Sequence, residues 1–170
     1  YGDIIIEGAI LIPFRFCQFW GVREECKFCD INENSRQLRK FKPDTLTAPV
    51  KKVEQVAEVA NEIVKELWER EGYPAPIRFF ISGGTITSHL HGLKEDEFYL
   101  RYVEAVKRGG PRRYVILQTN ASDKVTLKEY HSRGVDFYHG DLEVWDKRLF
   151  EWLCPGKSKR VGWEEWVKRL

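Results

Sequence analysis

The sequence predicts an α/β fold built on a parallel sheet, and three observations carry that expectation. Short apolar runs alternate along the chain with amphipathic helical segments, which is the pattern of successive strand-helix units. The gaps between the runs are long enough for a crossover helix each time, and such crossovers are right-handed. The stretches of unusual chemistry each follow an apolar run: Cys17 to Cys29, Ser82-Gly83-Gly84-Thr85, Gln118-Thr119-Asn120-Ala121-Ser122, and Gly140-Asp141-Leu142-Glu143. In parallel sheets ligands gather at the carboxyl ends of strands, so these stretches are expected at one end of one sheet.

Taken in order, a first strand is expected from Ala9 to Phe16, with Pro13 arguing against a central position. After the cysteine stretch, the polar residues from Asn32 to Lys42 read as surface loop, and Pro43-Asp44-Thr45 and Thr47-Ala48-Pro49 as punctuation before a helix. Val53, Val56, Ala57, Ala60, Val64, Leu67 and Trp68 recur at three and four and give the clearest helix, stopped by Gly72 and Pro74. Ile77 to Ile81 is a buried strand. A helix from Glu95 to Arg108 follows, acidic in its first turn and basic in its last. Tyr114 to Thr119 is the third strand. Ser122 or Asp123 caps a helix running to Arg133, which Gly134 closes. Val135 to His139 is the fourth strand, and Asp146 to Leu153 and Trp163 to Leu170 read as two short helices.

The chain has 170 residues, the size of one domain with a real core. A net charge of +2 with both signs interspersed gives no dedicated nucleic-acid surface. No apolar run reaches the roughly 18 residues of a membrane span. Tyr1-Gly2-Asp3 does not open a signal-peptide pattern, and four cysteines in such a chain read as metal or catalytic residues of a reducing, cytoplasmic compartment. The sequence contains no Met, which is expected either of a fragment or of a chain written without its methionines.

Cys17, Cys26 and Cys29 are spaced C-x8-C-x2-C. Thiolates are soft ligands suited to zinc or to iron–sulfur clusters. Three readings stand: buried apolar cysteines, a structural zinc completed by a distant His or by Cys154, and a cluster whose fourth iron has no protein ligand. Charged Arg23, Glu24, Glu25 and Lys27 among the cysteines weigh against the first. Ser82-Gly83-Gly84-Thr85 after the second strand would let backbone approach a ligand closely, or simply form a turn. Asn120 and Ser122 are candidates for ligand contact or for turn and cap, and Asp141 and Glu143 end the fourth strand as either a polar contact for a ligand or a solvated charge pair. Cys154-Pro155-Gly156-Lys157 reads as a structural cysteine before a turn, with Lys157 a candidate for an anionic group.

A three-cysteine loop after the first strand, with aromatic Phe28 just before the last cysteine, resembles the radical S-adenosylmethionine (SAM) superfamily, loosely its biotin synthase and lipoyl synthase side. The usual first gap there is three residues, shorter than here. The Gly83-Gly84 pair resembles that superfamily's Gly-Gly-Glu motif, with Thr85 in place of the acid, and Thr119-Asn120 resembles its Thr-Asn-Gly stretch. The resemblance implies a partial (β/α) barrel with about four of six strand-helix units, a radical SAM core domain over residues 1–170, incomplete on its C-terminal side. It implies a 4Fe–4S cluster on Cys17, Cys26 and Cys29, and SAM held by Phe28, Ser82, Gly83, Gly84, Thr85, Thr119, Asn120 and Glu143. The implied activity is reductive cleavage of SAM to a 5′-deoxyadenosyl radical that abstracts hydrogen from a small or protein-bound substrate. Ferredoxin or flavodoxin would be the electron donor. The rival from another class is a non-catalytic zinc-binding or scaffold domain.

Overall fold

A computed structural model describes residues 8–31, 37, 40, 50–70, 72 and 76–170, with residues 69 and 70 as backbone only. Four strands, β1 (Gly8–Leu11), β2 (Ile77–Ile81), β3 (Arg113–Gln118) and β4 (Phe137–His139), pair in that order and all in parallel. Helices α1 (Val53–Lys65), α2 (Glu95–Arg108) and α3 (Lys124–Ser132) connect them, and α4 (Lys147–Leu153), α5 (Pro155–Arg160) and α6 (Trp163–Arg169) follow β4. Sequential order means that each crossover steps the same way. Right-handed crossovers then put the connecting helices on one face of the sheet.

Side-chain alternation sorts the strands accordingly. Phe79, Ile81, Val115 and Leu117 are wholly buried in a core with Val56 and Ala60 of α1 and Tyr99, Val103 and Val106 of α2. Each such aliphatic or aromatic burial contributes about 1.5–3 kcal/mol. On the opposite face Ile10, Phe80, Ile116 and Phe137 stand in register across all four strands. Ile10 is 70% exposed and Phe137 49%.

Several expectations on element bounds are corrected. The first strand ends at Leu11, not Phe16. Beyond it the backbone carbonyls go to neighbouring loops: Leu11 accepts from Ser82 N (3.1 Å), Pro13 from Lys51 N (2.8 Å) and Phe14 from Gly84 N (3.0 Å). Pro13, with no N–H to give, marks the departure. The first helix turns into a π-helical turn at Glu66–Arg70, so Leu67 and Trp68 lie beyond its α-helical part. Gln37 and Lys40 are helical within the stretch read as loop, whereas most of that stretch, the punctuation before α1, and Pro74 lie outside the described residues. Asp123, not Ser122, caps α3, its side chain accepting from Thr126 N at 2.9 Å.

The largest difference is α5, read from sequence as a turn. Pro155 occupies the first helical position, where a missing N–H costs nothing. Gly156 N donates to Glu24 O (3.0 Å), and a Cβ there would lie 2.7 Å from that oxygen and collide with Phe19. The Pro-Gly pair therefore starts a helix pressed against the cysteine loop. Around it Ala121, Phe150, Cys154 and Trp166 form a second small core. Among the described residues no helix is long and apolar enough to cross a membrane.

Candidate functional site

The cysteine loop is built on two anchors. Cys17 precedes a short 3-10 turn, Gln18–Val22, which ends at Arg23 in left-handed conformation (φ 58°). Gln18 fastens this turn to the loop after β2. Its N–H donates to Thr85 O (2.9 Å), its Oε1 accepts from Thr87 N (2.7 Å) and Ser88 N (3.1 Å), and its Nε2 donates to His89 O (3.0 Å). The second anchor is α5 together with Leu153, whose carbonyl accepts from Lys27 N at 2.8 Å. Cys29 N closes a tight turn onto Cys26 O (3.0 Å), so the C-x2-C pair is one loop turn.

A pocket of about 270 Å³ opens at the carboxyl ends of the strands. Cys17, Cys26, Phe28, Cys29, Ser82, Gly83, Gly84, Thr85, Thr119, Asn120 and Glu143 all line it. The four strand-end stretches singled out in the sequence thus meet in one place. Its floor is a polar chain across three strand ends. Ser82 Oγ donates to Gln118 Oε1 (2.6 Å), Gln118 Nε2 donates to Asp141, and Asp141 lies 3.3 Å from His139 Nδ1.

Gly83 and Gly84 are required by the packing of the chain itself. A Cβ on Gly83 would lie 2.6 Å from Phe14 O and from the Tyr99 hydroxyl, and one on Gly84 would lie 2.7 Å from Cys17 Cα. The close approach is between this loop and the segment entering the cysteine loop. Tyr99, on α2, donates to Gly84 O at 2.7 Å and holds the loop from below.

Glu143 has positive φ (72°), and its Oε1 is held by Lys157 Nζ at 2.5 Å. The carboxylate expected to be open to two hydroxyls therefore has one oxygen in an ion pair. Lys157 also donates to Asp141 O (3.3 Å) and lies 5.1 Å above the Trp166 ring. Thr119 Oγ1 donates to the adjacent Asn120 O (3.2 Å). Tyr138 donates to that same carbonyl and accepts from Ser122 N (2.9 Å), so the backbone at Asn120 is fixed by its neighbours.

Burial pushes the Cys17 thiol up, with backbone N–H groups of Phe19 and Thr85 partly opposing it. Cys26 is raised, first by a hydrogen bond to Cys154 and then by burial, while the same hydrogen bond lowers Cys154. Cys154, expected to be merely structural, is wholly buried against a pocket cysteine. Among the described residues no group of three His, Cys, Asp or Glu side chains stands ready to hold a metal ion. The loop supplies three thiols to one pocket, one of them turned to Cys154, and does not draw them into a ligand set.

One pocket residue escaped the sequence reading. Glu95, the first residue of α2, is 7% exposed and lines the pocket. In sequence it is one of three acids in a first helical turn, indistinguishable from Asp96 and Glu97, and all three read as partners of the helix dipole. Burial raises its carboxyl, opposed in part by hydrogen bonds from Asn120 and Ile86. A carboxyl raised in the folded state stabilises fully only while protonated, below its unfolded value, and that stability is lost as pH rises through the folded value. Glu95→Gln, which carries no such charge, is therefore expected to gain in melting temperature over the parent as pH rises through that window. A difference that does not change with pH would show that the carboxylate is satisfied as it stands.

Comparison with protein-family models, with curated proteins and with solved structures finds no match.

Proposed function

We propose that this chain is the core of a radical SAM enzyme, with Cys17, Cys26 and Cys29 as ligands of a 4Fe–4S cluster. The observation that carries this reading is the convergence of the three-cysteine loop, the Gly83-Gly84 loop, Asn120 and Glu143 from four successive strand ends on one pocket. The donor set fits by type, since three thiols and no histidine favour a cluster over a His-containing zinc site. All three line the pocket that the other strand ends reach, without being drawn together there as a ligand set. Metal binding commonly completes a site that the free chain leaves open, and here it requires Cys26 to exchange its hydrogen bond with Cys154 for a metal bond. When bound, a cluster held by Cys17, Cys26 and Cys29 would supply one electron to SAM, releasing methionine and giving the 5′-deoxyadenosyl radical that would abstract hydrogen from a small-molecule or protein-bound substrate.

The chain's own residues bind and orient. Gln18 and Gly84 hold the cysteine loop over the second strand end, the aromatic side chains of Phe16, Phe19 and Trp20 line the cavity beside it, and Lys157 fixes Glu143 at the fourth strand end. In this reading the fold is a partial (β/α) barrel. The sequential strand order is that of a barrel, and a barrel would enclose the apolar row Ile10, Phe80, Ile116 and Phe137. The electron donor is a ferredoxin or flavodoxin, and the compartment is cytoplasmic.

A second reading has one observation in its favour. The Cys26–Cys154 hydrogen bond brings a fourth thiol to the loop, which suits a four-thiolate structural zinc in a non-catalytic domain. Metal analysis of anaerobically purified and reconstituted protein separates the two. The enzyme reading expects about four iron and four sulfide per chain, abolished by Cys17→Ala, Cys26→Ala or Cys29→Ala and retained in Cys154→Ala. About one zinc per chain, lost in Cys154→Ala as in the others, would establish the rival. Full iron retention in Cys17→Ala would remove that residue from the ligand set.

A further inference from the structure

Cys154 has no part in the proposed ligand set, yet it is the one cysteine that the fold buries completely, and it is buried against Cys26. The backbone around the pair is tied on both sides. Lys27 N donates to Leu153 O (2.8 Å) and Gly156 N donates to Glu24 O (3.0 Å), so each cysteine lies inside a frame of two backbone hydrogen bonds. Cys154 is also held within its own segment, where α4 meets α5. Its N–H donates to Phe150 O (2.8 Å) and its carbonyl accepts from Ser158 N (2.9 Å). The two thiols are in hydrogen-bond contact, and neither is in a disulfide.

Two cysteines can be joined only where their backbones already stand close, and the frame supplies that closeness. Access to the two sulfurs is unequal. Cys26 lines the pocket, whereas Cys154 is packed with Ala121, Phe150 and Trp166 in the second small core. A small polar oxidant entering the pocket therefore meets Cys26 first. Only a thiol already beside Cys26 can then meet the oxidised sulfur, and Cys154 is so placed. A purely structural cysteine accounts for the burial of Cys154 but not for its contact with a thiol of the pocket.

We propose that Cys26 and Cys154 form a reversible disulfide in the metal-free chain, with hydrogen peroxide as the oxidant. This goes beyond the reading given above, since it concerns the chain before any metal is bound. The peroxide O–O bond breaks as Cys26 Sγ gains an S–O bond, and the thiol proton leaves in one water. Cys154 Sγ then forms the S–S bond as the S–O bond breaks, and its proton leaves in a second water. Two thiols are oxidised to one disulfide, and one peroxide is reduced to two waters. The disulfide withdraws Cys26 from metal binding but keeps it recoverable by a dithiol. Without Cys154, the sulfenic acid on Cys26 stays open to more peroxide, and the sulfinic acid that follows is not reduced by thiols.

The test treats the full chain, stripped of metal under reductant and desalted anaerobically, with a small excess of hydrogen peroxide. Thiol titration and peptide mass mapping without reduction read the bond, and iron content after reconstitution reads the metal site. The parent is expected to fall from four free thiols to two, with the peptides of Cys26 and Cys154 joined. Its iron uptake is expected to be lost on oxidation and regained after dithiothreitol. Cys154→Ala is expected to take up iron when reduced, to lose that uptake after peroxide, and not to regain it. Four remaining thiols, a disulfide between any other pair, or Cys154→Ala regaining uptake as fully as the parent overturns the inference. A reduced parent that takes up no iron overturns the cluster reading instead, and the peptide map alone then decides the disulfide. Should Cys154→Ala fail to fold, the map of the parent decides in the same way.

Discussion

A valine at position 84 is expected to destabilise the protein by about 1–3 kcal/mol or more and, with the proposed cluster, to abolish iron incorporation. A Cβ there would fall almost onto the carbonyl oxygen of Phe16 and 2.7 Å from Cys17 Cα. Both are backbone atoms, so no rotamer change relieves the clash. The loop cannot retreat either: Gly84 N is bonded to Phe14 O (3.0 Å) and Gly84 O to the Tyr99 hydroxyl (2.7 Å). What must move is the segment carrying Cys17. The control is Gly21→Ala in the same cysteine loop, where a Cβ meets nothing within 4 Å, and a cost within about 0.5 kcal/mol is expected. Urea unfolding and iron content measure both effects. If Gly84→Val matches Gly21→Ala in both, the loop has room that the geometry denies it.

This contact shows how a close backbone approach can be located correctly for an incomplete reason. Two glycines after a strand were legible as a place where backbone approaches something closely. The sequence could not say that the something is the chain's own Phe16 and Cys17. Local pattern carries the strands, because Ile77 to Ile81 is apolar, short and bounded by Pro76 and Gly83. It carries α2 as well, whose acids and bases mark its two ends. The parallel order followed from the crossover lengths. What stayed illegible depends on residues distant in sequence. Cys154-Pro155-Gly156-Lys157 has turn composition, and only Phe19 and Glu24, packed against Gly156, make it the start of a helix. Glu143 was preferred because one carboxylate can accept from two hydroxyls, yet Lys157 sits 2.5 Å from one of its oxygens. Glu95 carried no signal beyond its place in an acidic first turn, since burial of one acid among three depends on which face of the helix meets Asn120. Cys154 lacked partners in the sequence and has one in space.

Replacing Trp166 by alanine is expected to cost about 3–5 kcal/mol, the range of large aromatic truncations, and to disturb the pocket from behind. Trp166 is wholly buried on α6, its ring 5.8 Å from that of Phe150 in an edge-on arrangement. Its indole N–H donates to Gly140 O at 2.8 Å, which fixes the start of the stretch carrying Asp141 and Glu143. Its ring lies 5.1 Å from Lys157 Nζ, the cation that holds Glu143. Truncation therefore opens a cavity in the second small core, orphans a buried carbonyl, and removes the surface against which Lys157 rests. Trp166→Phe separates these effects, because it keeps most of the apolar volume and loses the N–H. A cost of about 1–2 kcal/mol is expected from the unsatisfied Gly140 oxygen. Urea unfolding gives the two energies, and calorimetric SAM titration reads the pocket. If the proposed SAM site is there, affinity falls in Trp166→Ala through displacement of Glu143 and Lys157, and less in Trp166→Phe. A Trp166→Ala variant that loses less than about 1 kcal/mol would mean that α6 does not support the fourth strand end. Glu143 and Lys157 would then owe their places to α5 and the cysteine loop alone.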